Sequence, residues 1–201
     1  GGRNFKITNS SFNGTNGTPP QFGVDIEPAI SPAIVDGIYF ENCEFKGNTG
    51  AGMGIGGYAE IKNITLENCT FKQNTMFTTT NFIGGLKINN CKFIKSDLEV
   101  SEGNDMEIIN NYFDDSFMAL GGVSNKNNAV VKGNTFILKT SRSFEGISIR
   151  YNNLIFQNNI CDFSQTNNPT IDYESSLTFY GNNLTIKNNV FKSIIAGIGF
   201  E

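Results

Sequence analysis

A motif of eight residues that recurs eight times constrains the fold of this 201-residue chain more than any other feature of the sequence. IYFENCEF, ITLENCTF and LKINNCKF are three of its copies. The fifth residue of every copy is Asn or Gly, and apolar residues lie two and four positions before it and three positions after it. These central residues, spaced 20 to 33 positions apart, are Asn9, Asn42, Asn68, Asn90, Asn110, Gly133, Asn158 and Asn188.

The alternation of apolar and polar residues within the motif predicts β-strands. A period of two is that of a half-buried strand, and the apolar positions shift by one residue after the central position. A single residue with left-handed backbone between two strands produces such a shift, and Asn and Gly tolerate that conformation best. The chain contains 29 Asn and 22 Gly, which interrupt every potential helix. We therefore expect an all-β fold of short strands.

The repeat resembles the coils of the right-handed parallel β-helix of the pectate-lyase-like superfamily, and the resemblance covers essentially the whole chain. It implies a single β-helix domain over residues 1–201, a solenoid of about eight coils with three sheets and a solidly packed interior. Leucine-rich repeats are disfavoured because their L-x-x-L-x-L signature is missing. Strand-like sequence runs from Arg3 to Glu201 without a visible cap, so we expect a fragment of a longer chain or a chain capped by partners.

Stacking of the copies predicts files of like residues inside the solenoid. A Phe file is expected at the eighth position of the motif, where seven of the eight copies carry Phe and the other carries Cys161. The sixth position is Cys43, Cys69 and Cys91 in three consecutive copies and becomes Asn111, Asn134, Asn159 and Asn189 later. The thiols are open to two interpretations, a metal or redox site or a buried ladder. A straight column cannot supply tetrahedral zinc ligands, which favours the ladder.

Composition removes several functional classes. The 201 residues contain no His, so no mechanism within them uses imidazole. The net charge of -4 disfavours a nucleic-acid partner, and no apolar run is long enough for a membrane span. The first ten residues contain no apolar stretch of the signal-peptide type.

The strands that precede the motif are expected to form the first sheet, whose outer face is the natural place for a site. We expect them at 23–27, 52–56, 76–80, 97–101, 117–121, 146–150, 177–180 and 197–201. The first contains GVDIEP, which resembles a stretch found in β-helix proteins of phage and of bacterial surface-polysaccharide type. Asp25 and Glu27 would point outward about 6.5–7 Å apart, near the lower bound for the two carboxylates of an inverting glycosidase. Asp97 and Glu99 repeat the arrangement.

Other outward residues complete the set of candidates. Lyases of the superfamily use a Lys or Arg base beside a uronate carboxylate, and this resemblance makes Arg150 the lyase candidate. Gly52, Gly54 and Gly56 predict a face without side chains that admits a sugar ring. The candidate carbohydrate-binding residues are Gly54, Tyr58, Phe77 and Tyr180. The alternative for every carboxylate is an ordinary solvated strand position.

The predicted function is binding, with degradation as a further step, of a cell-surface or extracellular polysaccharide by the outer face of the β-helix. An enzyme of this kind would be a polysaccharide lyase or a glycoside hydrolase. The alternatives are a non-catalytic receptor-binding segment of a phage tail-spike or appendage, where a homotrimer is expected, and a bacterial surface adhesin. All three place the protein on a phage virion or outside a cell. No cofactor is expected, with Ca²⁺ on a carboxylate pair as the alternative.

Overall fold

The structure is a computed structural model that describes residues 2–30, 32–78, 81–139, 146–165, 177–194 and 197–200. The described residues form twenty-three β-strands and no helix. In chain order the strands are β1 (Gly2–Thr8), β2 (Ser11–Asn13), β3 (Val24–Ile26), β4 (Ile34–Glu41), β5 (Glu44–Lys46), β6 (Met53–Ile55), β7 (Glu60–Glu67), β8 (Thr70–Lys72), β9 (Met76–Thr78), β10 (Phe82–Asn89), β11 (Lys92–Ile94), β12 (Leu98–Val100), β13 (Met106–Ile109), β14 (Tyr112–Asp114), β15 (Met118–Leu120), β16 (Lys126–Lys132), β17 (Thr135–Ile137), β18 (Ile147–Gln157), β19 (Ile160–Asp162), β20 (Leu177–Tyr180), β21 (Thr185–Lys187), β22 (Val190–Lys192) and β23 (Ile198–Phe200).

Every strand pairs in parallel with the corresponding strand of a neighbouring repeat. One sheet has eight strands in the order β2-β5-β8-β11-β14-β17-β19-β22. The other has fifteen and is strongly curled, because β18 belongs to two rows at once. We call the row β3-β6-β9-β12-β15-β18-β20-β23 arm I, and the row β1-β4-β7-β10-β13-β16-β18-β21 arm II.

Arm I coincides with the sheet expected from the sequence. Seven of the eight predicted strands contain an observed one, usually with one residue fewer at each end. The exception is 146–150, because β18 begins at Ile147 and continues to Gln157. Residues 79–80 and 201, which extend two of the predicted strands, lie outside the described residues. The all-β class and the parallel pairing of repeats are confirmed.

The interior contains the expected file of phenylalanines. Neighbouring rings lie nearly parallel, within 15° of each other, with centroids 4.4–5.2 Å apart. The file is Phe12, Phe45, Phe71, Phe93, Phe113 and Phe136, and all but the first are buried. Cys161 interrupts it in register with Phe136. Each strand therefore places its central side chain on the ring of the previous repeat, which fixes the alignment of neighbouring repeats.

A second file inside the molecule consists of amides and thiols. Asn134 accepts hydrogen bonds at Oδ1 from the backbone N–H of Asn111 (2.8 Å), and its Nδ2 donates to the Ile108 carbonyl (2.8 Å). The same two contacts recur at Asn159. Cys91 acts similarly, because its Sγ accepts from the Cys69 N–H (3.3 Å). The expected Asn file is confirmed, and the thiols serve the same backbone.

The turn after the eight-stranded sheet carries a third internal file, which the sequence motif did not predict. The N–H of Thr15 donates to Asn48 Oδ1, and the N–H of Asn48 donates to Asn74 Oδ1. The Ser96 hydroxyl accepts from the N–H of Asn74, and the Ser116 hydroxyl accepts from the N–H of Ser96. Two buried polar files on opposite sides of the eight-stranded sheet therefore satisfy the backbone at its bends.

Candidate functional site

The outer face of arm I carries a row of residues held in register by strand pairing. Asp25, Gly54, Phe77, Glu99, Ala119 and Ser148 follow one another from β3 to β18. Neighbours in this row are one strand spacing apart, about 4.8 Å. Asp25 and Glu99 are both exposed, while Ile26, which lies between Asp25 and Glu27 in the chain, is buried. The expected inward and outward directions of this segment are those observed.

A cleft of about 250 Å³ lies at the β3 end of this row. Four predicted site residues line it, namely Asp25, Glu27, Gly54 and Phe77. The remaining lining residues are Pro20, Phe22, Ile55, Gly56 and Gly57. We call this feature the Asp25 cleft. It combines one pair of carboxylates with apolar rings on a floor of glycines, and it is open to solvent on one side.

Phe22 is the lining residue that sequence reasoning missed. Its ring lies over Gly54, where a Cβ atom would come within 2.7 Å of Phe22 Cε2. The ring also packs edge-on against Phe77, with centroids 5.2 Å apart and planes at 80°. The glycine face is therefore not bare as expected, because an aromatic ring covers Gly54. Gly52 does not belong to this face either, since its Cβ position points at Asn74 and Phe71 in the interior.

Electrostatics distinguish Asp25 within the cleft. Desolvation by the surrounding protein raises the pKa of the Asp25 carboxyl above its ordinary value, and the nearby Glu27 carboxylate raises it further. No hydrogen bond or ion pair from another described residue engages the Asp25 or Glu27 side chain. Both carboxyl groups are therefore available to a ligand.

We expect Glu27→Gln to lower the pKa of Asp25 toward the ordinary value of an aspartate. The negative charge of Glu27 disfavours the ionised form of Asp25, and the substitution removes that charge. The desolvation of Asp25 is unchanged. Carboxyl carbon chemical shifts of Asp25, followed through a pH titration, measure the change. Glu44→Gln, on the eight-stranded sheet, is the matched control. A midpoint that stays constant or rises in Glu27→Gln would contradict the placement of the pair.

The second carboxylate pair is built differently. Asp97 Oδ1 accepts a hydrogen bond from the Phe117 N–H (3.0 Å), so this carboxylate supports the bend before β15. Glu99 lies on β12 beside Phe77. Desolvation raises the pKa of the Glu99 carboxyl, and the Asp97 charge raises it further by a smaller amount. Three strand spacings, about 14 Å, separate Glu99 from Asp25. The structure thus does not bring the two pairs into one site.

Arg150 and Tyr180 form a separate feature at the far end of the face. The Arg150 guanidinium lies 4.1 Å from the centre of the Tyr180 ring, and its Nη1 donates to the Val123 carbonyl at 3.4 Å. Five strand spacings, about 24 Å, separate the strands that carry Arg150 and Asp25. The Arg150 guanidinium carries its N–H donors in a planar fork and has no acceptor. Its geometry suits binding of an anion better than removal of a proton.

Tyr58 lies just outside the cleft. Its N–H donates to the Pro28 carbonyl at 3.1 Å, which places it beyond Gly57 at the Glu27 end. The side chain is 75 % exposed. Tyr58 can extend the aromatic surface of the Asp25 cleft only for a ligand that projects past Gly57.

The thiols and the carboxylates do not form a metal centre among the described residues, where no three His, Cys, Asp or Glu side chains come together. All four cysteines are buried and unpaired. Burial raises the pKa of the Cys161 thiol to about 12 and holds that of Cys91 above its ordinary value. The hydrogen bond with Cys91 lowers the pKa of the Cys69 thiol. Cys91 donates to the Asn89 carbonyl and accepts from the Cys69 N–H, which is a structural role inside the core.

No helix among the described residues is long and apolar enough to cross a membrane. Comparison of the sequence with protein-family models and with curated proteins returned no match.

Proposed function

We propose that the chain is a right-handed parallel β-helix of about eight coils, related to the pectate-lyase-like superfamily, that binds a polysaccharide in the Asp25 cleft and hydrolyses it there. The eightfold motif, the parallel pairing of consecutive repeats and the Phe and Asn files support this fold. One observation carries the function: the cleft brings Asp25 and Glu27 together with the rings of Phe22 and Phe77. Aromatic rings pack against the apolar faces of sugars, and paired carboxylates cleave glycosidic bonds.

The positions of the two carboxylates favour an inverting mechanism. Alternate residues of one strand lie about 6.5–7 Å apart, which leaves room for a water molecule between substrate and base. Asp25, whose pKa is raised, is the general acid that protonates the leaving oxygen. Glu27 is the general base that takes a proton from the attacking water. The water oxygen bonds to the anomeric carbon as the glycosidic bond breaks, and the released chain carries the proton from Asp25.

The position of Arg150, the predicted lyase base, favours hydrolysis over a lyase reaction. Arg150 is stacked on Tyr180 and lies far from the Asp25 cleft, so no described arginine faces the carboxylate pair. The second candidate function is binding without cleavage, in a receptor-binding segment of a phage appendage or in a surface adhesin. The Phe22–Phe77 pair favours it, because an aromatic surface holds a glycan whether or not the carboxylates react.

The test is release of reducing ends from a panel of polysaccharides, with absorbance of unsaturated uronates recorded in parallel. We expect hydrolysis without unsaturated product, and a loss of at least about 100-fold in Asp25→Asn and in Glu27→Gln. Glu44→Gln, which removes a carboxylate paired with Lys72 on another sheet, is expected to keep full activity.

Each other outcome separates the candidates. Activity that survives in Asp25→Asn but disappears in Glu99→Gln would move the reaction to the second pair. Unsaturated products that disappear in an Arg150 variant would establish a lyase. A glycan that binds wild type without any product supports the binding function, and a sedimentation mass of three chains would favour the phage appendage.

A further inference from the structure

A groove runs along the outer face of arm II, away from the Asp25 cleft. Two cavities of about 350 Å³ each lie side by side on this face and share Asp105 and Glu107. One extends from the shared residues to Lys62 and the other to Ile155. Together they cross β7, β10, β13, β16 and β18, which is four strand spacings, about 19 Å. We call this feature the arm II groove.

One wall of the groove is a file of left-handed residues that the sequence motif had not revealed. Each lies five positions before a central residue of the motif, and all have φ between 55 and 76°. The members are Asn4, Gly37, Asn63, Gly85, Asp105, Asn128, Asn153 and Asn183. Searching the position five residues before each central Asn or Gly would have found it. The file repeats with the strand spacing, about 4.8 Å.

The amides in this wall are connected to each other but remain open to a ligand. Asn128 Nδ2 donates to Asp105 Oδ1 at 2.7 Å, and Asn153 Nδ2 donates to Asn128 Oδ1 at 3.0 Å. Each amide has two donor hydrogens and two acceptor lone pairs. The file uses one of each, and Asn128 and Asn153 are exposed. Asn128 and Asn153 therefore each keep one N–H and one carbonyl lone pair for a ligand in the groove.

The floor of the groove is apolar at one end and electrically balanced at the other. Val130 and Ile155 are paired in register on β16 and β18, and Ile155 is 37 % exposed. At the other end Lys62 is paired with Glu60 (2.7 Å) and Lys87 with Glu107 (2.8 Å). Since the lysines already have carboxylate partners, the groove offers no uncompensated positive charge to an acidic ligand.

We propose that the arm II groove binds a neutral, linear oligosaccharide that carries N-acetyl groups. The amide of an N-acetyl group is both donor and acceptor, and so matches the N–H and lone pair that each Asn presents. Its methyl group and the C–H faces of the sugar ring fit the surface of Val130 and Ile155. An extended peptide fits less well, because its same-side groups repeat every ~6.6 Å, against the ~4.8 Å of the file.

This site is independent of the proposed hydrolysis, because none of its lining residues belongs to the Asp25 cleft. Binding in the arm II groove is expected to persist in Asp25→Asn. A protein without hydrolytic activity would leave this proposal intact, and an empty arm II groove would leave the hydrolysis proposal intact.

The test is titration with a hexamer of N-acetylglucosamine, and with a hexamer of glucose, by calorimetry and amide chemical-shift mapping. Ile155→Asp is expected to weaken binding of the N-acetylated hexamer about tenfold or more, since a carboxylate replaces the apolar floor. Ile160→Asp is the matched control, because Ile160 is similarly exposed, at 39 %, but lies on the eight-stranded sheet. The Ile160→Asp variant should bind the N-acetylated hexamer with the affinity of wild type. Shift changes should map to β13, β16 and β18.

A second variant keeps the test informative if Ile155→Asp fails to fold. Asn153→Gly removes one wall amide and retains the left-handed backbone that Asn153 adopts, at φ 55°. It too should weaken binding of the N-acetylated hexamer. Absence of binding in wild type, equal affinity for the two hexamers, or unchanged affinity in well-folded variants would each overturn the proposal.

Discussion

Replacing Phe93 with alanine is expected to lower the free energy of unfolding by about 3–5 kcal/mol, because the substitution opens a cavity in the middle of the phenylalanine file. The ring lies 4.9 Å from that of Phe71 and 4.8 Å from that of Phe113, and none of its surface is exposed. The neighbouring rings are held by their own strands and cannot close the gap. Phe71→Ala should have an effect of the same size, for the same reason.

Urea denaturation measures both variants, and Lys92→Ala on the same strand is the control. Lys92 is exposed and points away from the file, so its truncation should change stability by no more than about 0.5 kcal/mol. Phe93→Leu should fall between the two, because it keeps most of the apolar volume. A loss below about 1 kcal/mol in Phe93→Ala would mean that this residue is not in the core.

The sequence motif predicts those parts of the fold in which each repeat makes the same contact. Phe45, Phe71 and Phe93 share a position because each must lie on the ring before it, and parallel pairing carries that requirement along the sheet. Asn111 and Asn134 share a position because each serves the backbone N–H of the preceding repeat. Repeated contacts leave repeated residues, and an alignment of the repeats detects them.

Features were missed where the same physical task is performed by different residue types. Asn48, Asn74, Ser96 and Ser116 all accept a hydrogen bond from a backbone N–H, but hydroxyls and amides look unrelated in an alignment. The left-handed file of arm II mixes Asn, Gly and Asp for a similar reason. In both cases the backbone conformation or the buried N–H is conserved among the repeats while the side chain varies.

The candidate site was predicted only in part because it depends on one segment outside the repeats. Asp25, Glu27 and Phe77 could be placed from strand alternation, and they do lie together. Phe22 could not be placed, because it lies before the first strand of arm I, and only the structure shows its ring over Gly54. One signal in the sequence could have indicated it. Gly54 is in register with Asp25, and Phe22 lies three residues before Asp25 in the chain, so the glycine leaves space for that ring.

The amide file offers the second large effect on stability. Asn134 is fully buried, and it serves two backbone groups of earlier repeats, the N–H of Asn111 and the carbonyl of Ile108. A leucine has similar size but no polar atom, so both groups would lose this partner inside the core. Each buried polar group without a partner costs about 1–3 kcal/mol. The expected loss of stability therefore comes from the backbone groups left without a partner and not from the side chain itself.

Asn134→Leu is accordingly expected to lower the free energy of unfolding by about 2–6 kcal/mol in urea denaturation. Asn134→Cys should cost clearly less, because the thiol of Cys91 already accepts from the Cys69 N–H and donates to the Asn89 carbonyl at an equivalent position. Thr135→Val, at a partly exposed position on the adjoining strand, removes a polar group outside the file and should be nearly neutral. If leucine and cysteine at position 134 were equally stable, packing volume would determine stability there, and the hydrogen bonds of the file would contribute little.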